Sequence, residues 1–112
     1  MPPEVSKLLT DALESANSIG EFVAGKAKAD FLSDKLLRAG VYYQFAVIGE
    51  ALSQIRALDS NYLDDISEHW RIIGFRNQII HGYAKIDDEI TWRIVELKLP
   101  ILKQELKELL AI

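Results

Sequence analysis

Residues 37–55 read LRAGVYYQFAVIGEALSQI. Their apolar positions Leu37, Val41, Phe45, Ile48, Leu52 and Ile55 are spaced 4, 4, 3, 4 and 3. An α-helix advances about 100° per residue, so this spacing lays all six side chains along one face. The stripe predicts a long helix over about residues 30–58 with one side buried against other helices. Gly40 and Gly49 cost it helical propensity and mark places where another helix can come close.

The same periodicity extends in both directions. Pro2-Pro3 suits the first turn of a helix, and Val5, Leu8, Leu9, Ala12, Ala16 and Ile19 continue it over residues 3–23. Gly25 lies in the break that follows. Asp59-Ser60-Asn61 reads as a turn, and a short helix is expected over 61–67. A further helix is expected over 69–81, ended by Gly82. Asp87 is the expected N-cap of the last helix, which carries Trp92, Val95, Leu99, Leu102, Leu106 and Leu109 and should kink at Pro100. No alternating run supports a strand. The expectation is therefore an all-α, antiparallel bundle of four to five helices, with residues 1–112 as a single domain.

Apolar positions lie outside the main stripes: Tyr42, Tyr43 and Val47 in the second helix, and Ile90, Ile94, Leu97 and Ile101 in the last. One small bundle has too little surface to cover them all, which points to a two-fold homodimer.

Composition narrows the function classes. Apolar residues make up 49% of the 112, enough for a core, and there is no cysteine. Disulfides, cysteine-based zinc sites and thiol nucleophiles are excluded. Met1-Pro2-Pro3-Glu4 lacks the basic and apolar regions of a secretory signal, and no apolar run is long enough to span a membrane, so a cytoplasmic protein is expected. A net charge of −4 argues against a broad basic surface for nucleic acid but leaves room for a local site. Such a site would need to gather Arg71, Arg76, Lys85 and Arg93.

The chemistry is concentrated in Arg76-Asn77-Gln78-Ile79-Ile80-His81-Gly82-Tyr83. Arginine can hold a phosphate bidentately, and histidine moves protons near neutral pH. Together they are the minimal parts of a ribonuclease that needs neither metal nor cofactor. His81 is the acid/base candidate, Arg76 the phosphate and transition-state cation, and Asn77 a supporting donor. Arg76 and His81 are five residues apart, hence about 140° apart on a straight helix. Either His81 lies beyond the helix end, or two copies of the segment build one site.

The pattern Arg-Asn, three residues, His, one residue, Tyr resembles the signature of the HEPN superfamily of RNA-cleaving helical domains, and of its HepT toxins in particular. Val47-Ile48-Gly49-Glu50-Ala51 and Trp70-Arg71-Ile72-Ile73-Gly74-Phe75 are similar to segments of that family, as are Ile86-Asp87 and Leu99-Pro100. Where many members carry a basic residue with an adjacent amide, this chain has Tyr43-Gln44 and lacks that phosphate contact. The resemblance implies an endoribonuclease toxin of a type VII toxin–antitoxin system, with its cleft at a dimer interface. It implies a partner, the MntA nucleotidyltransferase antitoxin, which neutralises the toxin by transferring AMP to the tyrosine that here is Tyr83. RNA is the implied substrate.

More ordinary roles stand beside these. His81 also suits a helix C-terminus, Arg76 a salt bridge with Glu50 or Glu68, and Tyr83 an interface. His69 reads as a surface residue. His69 and His81 are too few for a zinc site. Asp87-Asp88-Glu89 suits a helix N-terminus, and residues 103–108 a solvated face. The alternative function is a non-catalytic helical dimer of HEPN type that binds a nucleotide or supports a nucleotidyltransferase; a plain interaction module is a third.

Overall fold

The structure, a computed structural model, describes residues 1–112. It is all helical: α1 (Pro3–Val23), α2 (Lys28–Ser33), α3 (Lys35–Leu58), α4 (His69–His81), α5 (Asp88–Leu97) and α6 (Leu99–Leu110), with 3₁₀ turns at Ser60–Leu63 and Tyr83–Lys85. The expected all-α bundle is present. Its helices number six because two of the five expected helices each divide and the short one contracts to a 3₁₀ turn.

The first division is at Asp34. Its backbone is extended (φ −115°, ψ 97°), and its carboxylate accepts from the Leu37 amide at 3.0 Å, capping α3. Arg38, one turn into α3, donates to the Phe31 and Leu32 carbonyls at the end of α2 (3.1 and 2.7 Å). Those carbonyls have lost their helical partners, and the guanidinium replaces them. The break lets Phe31 turn inward, fully buried, 5.4 Å from the Trp92 ring.

The second division comes at Lys98, just before Pro100, and replaces the expected kink. Pro100 sits in the first turn of α6, where its missing N–H costs nothing. The expected short helix over 61–67 contracts to a single 3₁₀ turn, after which Glu68 takes the left-handed conformation (φ 55°). Gly82 does end α4, but at φ −134° rather than in the left-handed region; its amide bonds to the Gln78 carbonyl at 2.8 Å.

The core lies along α1, which packs on both α3 and α6. Leu9, Ile19, Val41, Ile48, Leu52, Ile55 and Leu106 are fully buried there. Each such aliphatic side chain contributes about 2 kcal/mol of burial energy before entropic costs. A polar bridge ties α5 to α3: the Tyr42 hydroxyl donates to Asp88 and lies 3.0 Å from Thr91 Oγ1, while Arg38 pairs with Asp88 at 3.4 Å. Partial burial, reinforced by the bond to Asp88, pushes the Tyr42 hydroxyl well above its ordinary pKa. No helix is long and apolar enough to cross a membrane.

α4 packs on α3 and has little contact with α5 or α6. Its seat is Gly49: a Cβ built there would lie 2.2 Å from Arg76 Cβ and 3.2 Å from the Ile72 carbonyl oxygen. Gly74, on α4 itself, would meet nothing within 4 Å. The two glycines should therefore respond oppositely to alanine. Gly74→Ala should stabilise by roughly 0.5–1 kcal/mol through helix propensity. Gly49→Ala should destabilise by about 1–3 kcal/mol because α4 must shift. Thermal and urea denaturation of both variants checks the two signs.

Candidate functional site

The site is built on α4. Arg76 points toward α3, where Gly49 leaves the space its stem fills. Its Nη2 pairs with the Glu50 carboxylate at 2.6 Å, and its Nη1 donates to Asn77 Oδ1 at 3.0 Å. Its Nε is buried without a hydrogen-bond partner. The side chain is 24% exposed, so two of its three nitrogens are engaged and the group is held in place from both sides. Of the two carboxylates weighed for Arg76, Glu50 is its partner. Glu68 instead pairs with Arg71 and Lys98, each at 3.4 Å.

His81 is the last residue of α4, so it remains within the helix. The 140° between it and Arg76 is therefore not relieved by an early helix end. Asn77 and His81 are about 40° apart on the outward face, and both are exposed. Within the chain, Arg76, Asn77 and Glu50 come together, while no hydrogen bond or ion pair joins His81 to Arg76. Tyr83 follows Gly82 in the 3₁₀ turn and is 74% exposed, so its hydroxyl is open to solvent.

The four cations expected to gather do so only in part. Arg71 and Lys85 line one groove with Gln78, Asp87 and Ile90, of about 430 Å³. Arg76 faces the other flank of α4, and Arg93 lies exposed outside that groove. An adjoining apolar groove of about 340 Å³ separates α4 from α5 and α6, walled by Phe45, Ile72, Phe75, Ile94, Ile101 and Leu102. Ser67 closes its end by bonding through its amide and hydroxyl to Glu105 (3.0 and 2.6 Å).

Of the surplus apolar residues, Tyr43, Ile90, Leu97 and Ile101 stay exposed, at 67, 54, 59 and 47%. Tyr42, Val47 and Ile94 are half-buried. Sequence reasoning missed Trp70, which is 59% exposed on α4. The signal was available: positions 70, 74, 77 and 81 are spaced 4, 3 and 4, a helical stripe without an apolar majority.

Comparison with known proteins adds an independent line. A family model described as "Ribonuclease HepT-like" matches residues 12–109. A Methanocaldococcus jannaschii protein with a provisional RNase name is 32% identical over 106 residues, 93% of this chain and 94% of that protein. A second protein from that organism, also provisionally named an RNase, is 30% identical over 96% of this chain and 88% of its own. A Thermococcus cleftensis protein, provisionally named ribonuclease HepT, is 30% identical over 90% of this chain and 91% of its own. No solved structure matches significantly.

Glu50 is the anchor of the site, which gives a measurable consequence. Glu50→Ala leaves the partly buried Arg76 without its carboxylate and should lower stability by about 1 kcal/mol. Urea denaturation checks it; an unchanged midpoint would show that the pair contributes nothing to the fold.

Proposed function

The chain belongs to the ribonuclease HepT-like family, and from that premise we propose that it is an endoribonuclease toxin. Residues 1–112 act as one HEPN-like domain, paired in the cytoplasm with a second copy. The observation that carries the reading is the fixed guanidinium of Arg76 beside the exposed Asn77–His81 face. A cation held in advance loses little entropy when charge develops on a phosphate.

The reaction is a transesterification. A base takes the proton of the ribose 2′-hydroxyl, the 2′-oxygen attacks phosphorus, and the 5′-oxygen leaves with a proton from an acid. The products are a 2′,3′-cyclic phosphate and a free 5′-hydroxyl. His81 supplies acid or base, Arg76 neutralises the pentacovalent phosphorane, and Asn77 donates to a phosphate oxygen. None of these steps calls for a metal ion. Because Arg76 and His81 diverge on one helix, the site is composite: α4 of a two-fold related copy brings its own set to the same cleft.

Purified protein should cut RNA in the presence of EDTA and leave DNA intact, since DNA lacks the attacking hydroxyl. Arg76→Ala and His81→Ala should each slow cleavage by roughly 10²-fold or more. Full activity in His81→Ala, or equal cutting of DNA, would overturn the mechanism. The second reading, a non-catalytic HEPN-type dimer, draws on the engagement of Arg76 by Glu50 and Asn77, which resembles a structural pair. Wild-type protein inert toward RNA would favour it.

The partner is an MntA-like nucleotidyltransferase. In the controlling step, the Tyr83 hydroxyl oxygen attacks the α-phosphorus of ATP, loses its proton and releases pyrophosphate, leaving AMP on the ring. The new negative charge beside Arg76 and His81 repels RNA phosphates. The exposure of Tyr83 supports this assignment. Incubation with partner and ATP should add AMP to the wild type and not to Tyr83→Phe, as read by intact mass. AMP on Tyr42, Tyr43 or Tyr62 would contradict it.

A further inference from the structure

Trp70 is the one large aromatic on the outward face of α4, and its exposure needs an explanation. At 59% exposed it contrasts with the other tryptophan, Trp92, at 6%. By helical geometry Trp70 lies about 20° around the axis from His81 and roughly 16 Å along it. Gly74 and Asn77 fall between them on the same face. Gly74 presents bare backbone there, since a Cβ would find nothing within 4 Å. The His69 ring stands edge-on to the indole, with centroids 5.2 Å apart and planes at 85°, and braces it. Arg71, at the next position, is 72% exposed and only loosely paired with Glu68.

We propose that Trp70 is a nucleobase-stacking subsite for single-stranded RNA, a few nucleotides from the phosphate that meets Asn77 beside His81, with Gly74 keeping the path between them open. The proposal rests on the ribonuclease reading. An aromatic platform followed by a bare, polar track suits an unpaired strand, whose bases stack on aromatic rings while its phosphates meet polar and charged groups. Along the row 70, 74, 77 and 81 the indole has a glycine, an amide and an imidazole as neighbours and no second apolar side chain, which suits a stacked base better than a broad apolar contact.

The buried Trp92 makes the test direct, because tryptophan emission that responds to RNA reports on Trp70. In a His81→Ala background, a single-stranded oligoribonucleotide of mixed sequence should quench emission on binding. In the otherwise native protein, Trp70→Leu should raise KM for that RNA roughly tenfold with kcat little changed, the scale of one lost stacking contact. A dinucleotide, too short to reach Trp70, should be cleaved equally well by wild type and Trp70→Leu. Gly74→Leu should also raise KM while raising thermal stability, because leucine is the better helix former, so obstruction of the path is separated from unfolding. If wild type cleaves the RNA and Trp70→Leu keeps its KM, the stacking subsite is wrong and the ribonuclease reading stands. If wild type neither cleaves the RNA nor is quenched by it, both fall. If Trp70→Leu sediments as a monomer where wild type is a dimer, Trp70 is a contact between copies and the proposal is overturned.

Discussion

The seating of α4 on Gly49 is the constraint on which the rest of the site depends. A Cβ at that position would overlap the stem of Arg76, so the two helices approach as they do only because α3 lacks a side chain there. The next residue on α3 is Glu50, and its carboxylate is then within reach of the guanidinium. Placing Arg76 inward also fixes the rotation of α4 about its axis. Once that rotation is set, helical geometry turns Asn77 and His81 outward. One missing methyl group thus orients the cation and the imidazole together.

The two ends of α4 are held by different physics. At the start, Glu68 adopts a left-handed backbone that costs roughly 1 kcal/mol. Its ion pair with Lys98 at the α5–α6 junction, and the bonds from Ser67 to Glu105, tie this end to the start of α6 and to α6 itself. At the other end, Gly82 and the 3₁₀ turn at Tyr83–Lys85 lead away with little cover, and His81 and Tyr83 are both exposed. Between the two ends, an apolar groove remains open because α4 leans on α3 rather than on α5 and α6. The helix is anchored at its root and along one side, and Asn77, His81 and Tyr83 lie toward or just beyond the open tip. That arrangement keeps these side chains accessible without leaving their backbone unsupported.

How much was legible follows the range of each interaction. The bounds of α1 and α4 could be read because Pro3, the apolar spacing and Gly82 act within a turn or two. The break at Asp34 could not, because the apolar stripe runs straight through it. What tips the balance is Arg38 satisfying the carbonyls of α2 while Phe31 finds Trp92, a residue distant in sequence. Pro100 was seen, but whether it kinks a helix or begins one depends on how α5 and α6 pack. In the site, Glu50 was one of two carboxylates in view for Arg76, and spacing alone had no means to choose between them.

The sequence by itself determined the helical class, the rows of side chains that face the core and the octapeptide 76–83 that closes α4 with an arginine, an amide, a histidine and a tyrosine. Those properties rest on local geometry: a fixed rotation per residue, and turn residues whose backbone preferences are their own. Only the tertiary structure decided that Gly49 is a seat and Gly74 a bare surface, although both are glycines inside helices. It also decided that Arg76 belongs to Glu50 and Glu68 to Arg71 and Lys98, and that Trp70 stands in solvent while Trp92 is enclosed. The physical reason is that close approach, charge pairing and burial depend on which helix faces which, and residues far apart in the chain settle that together.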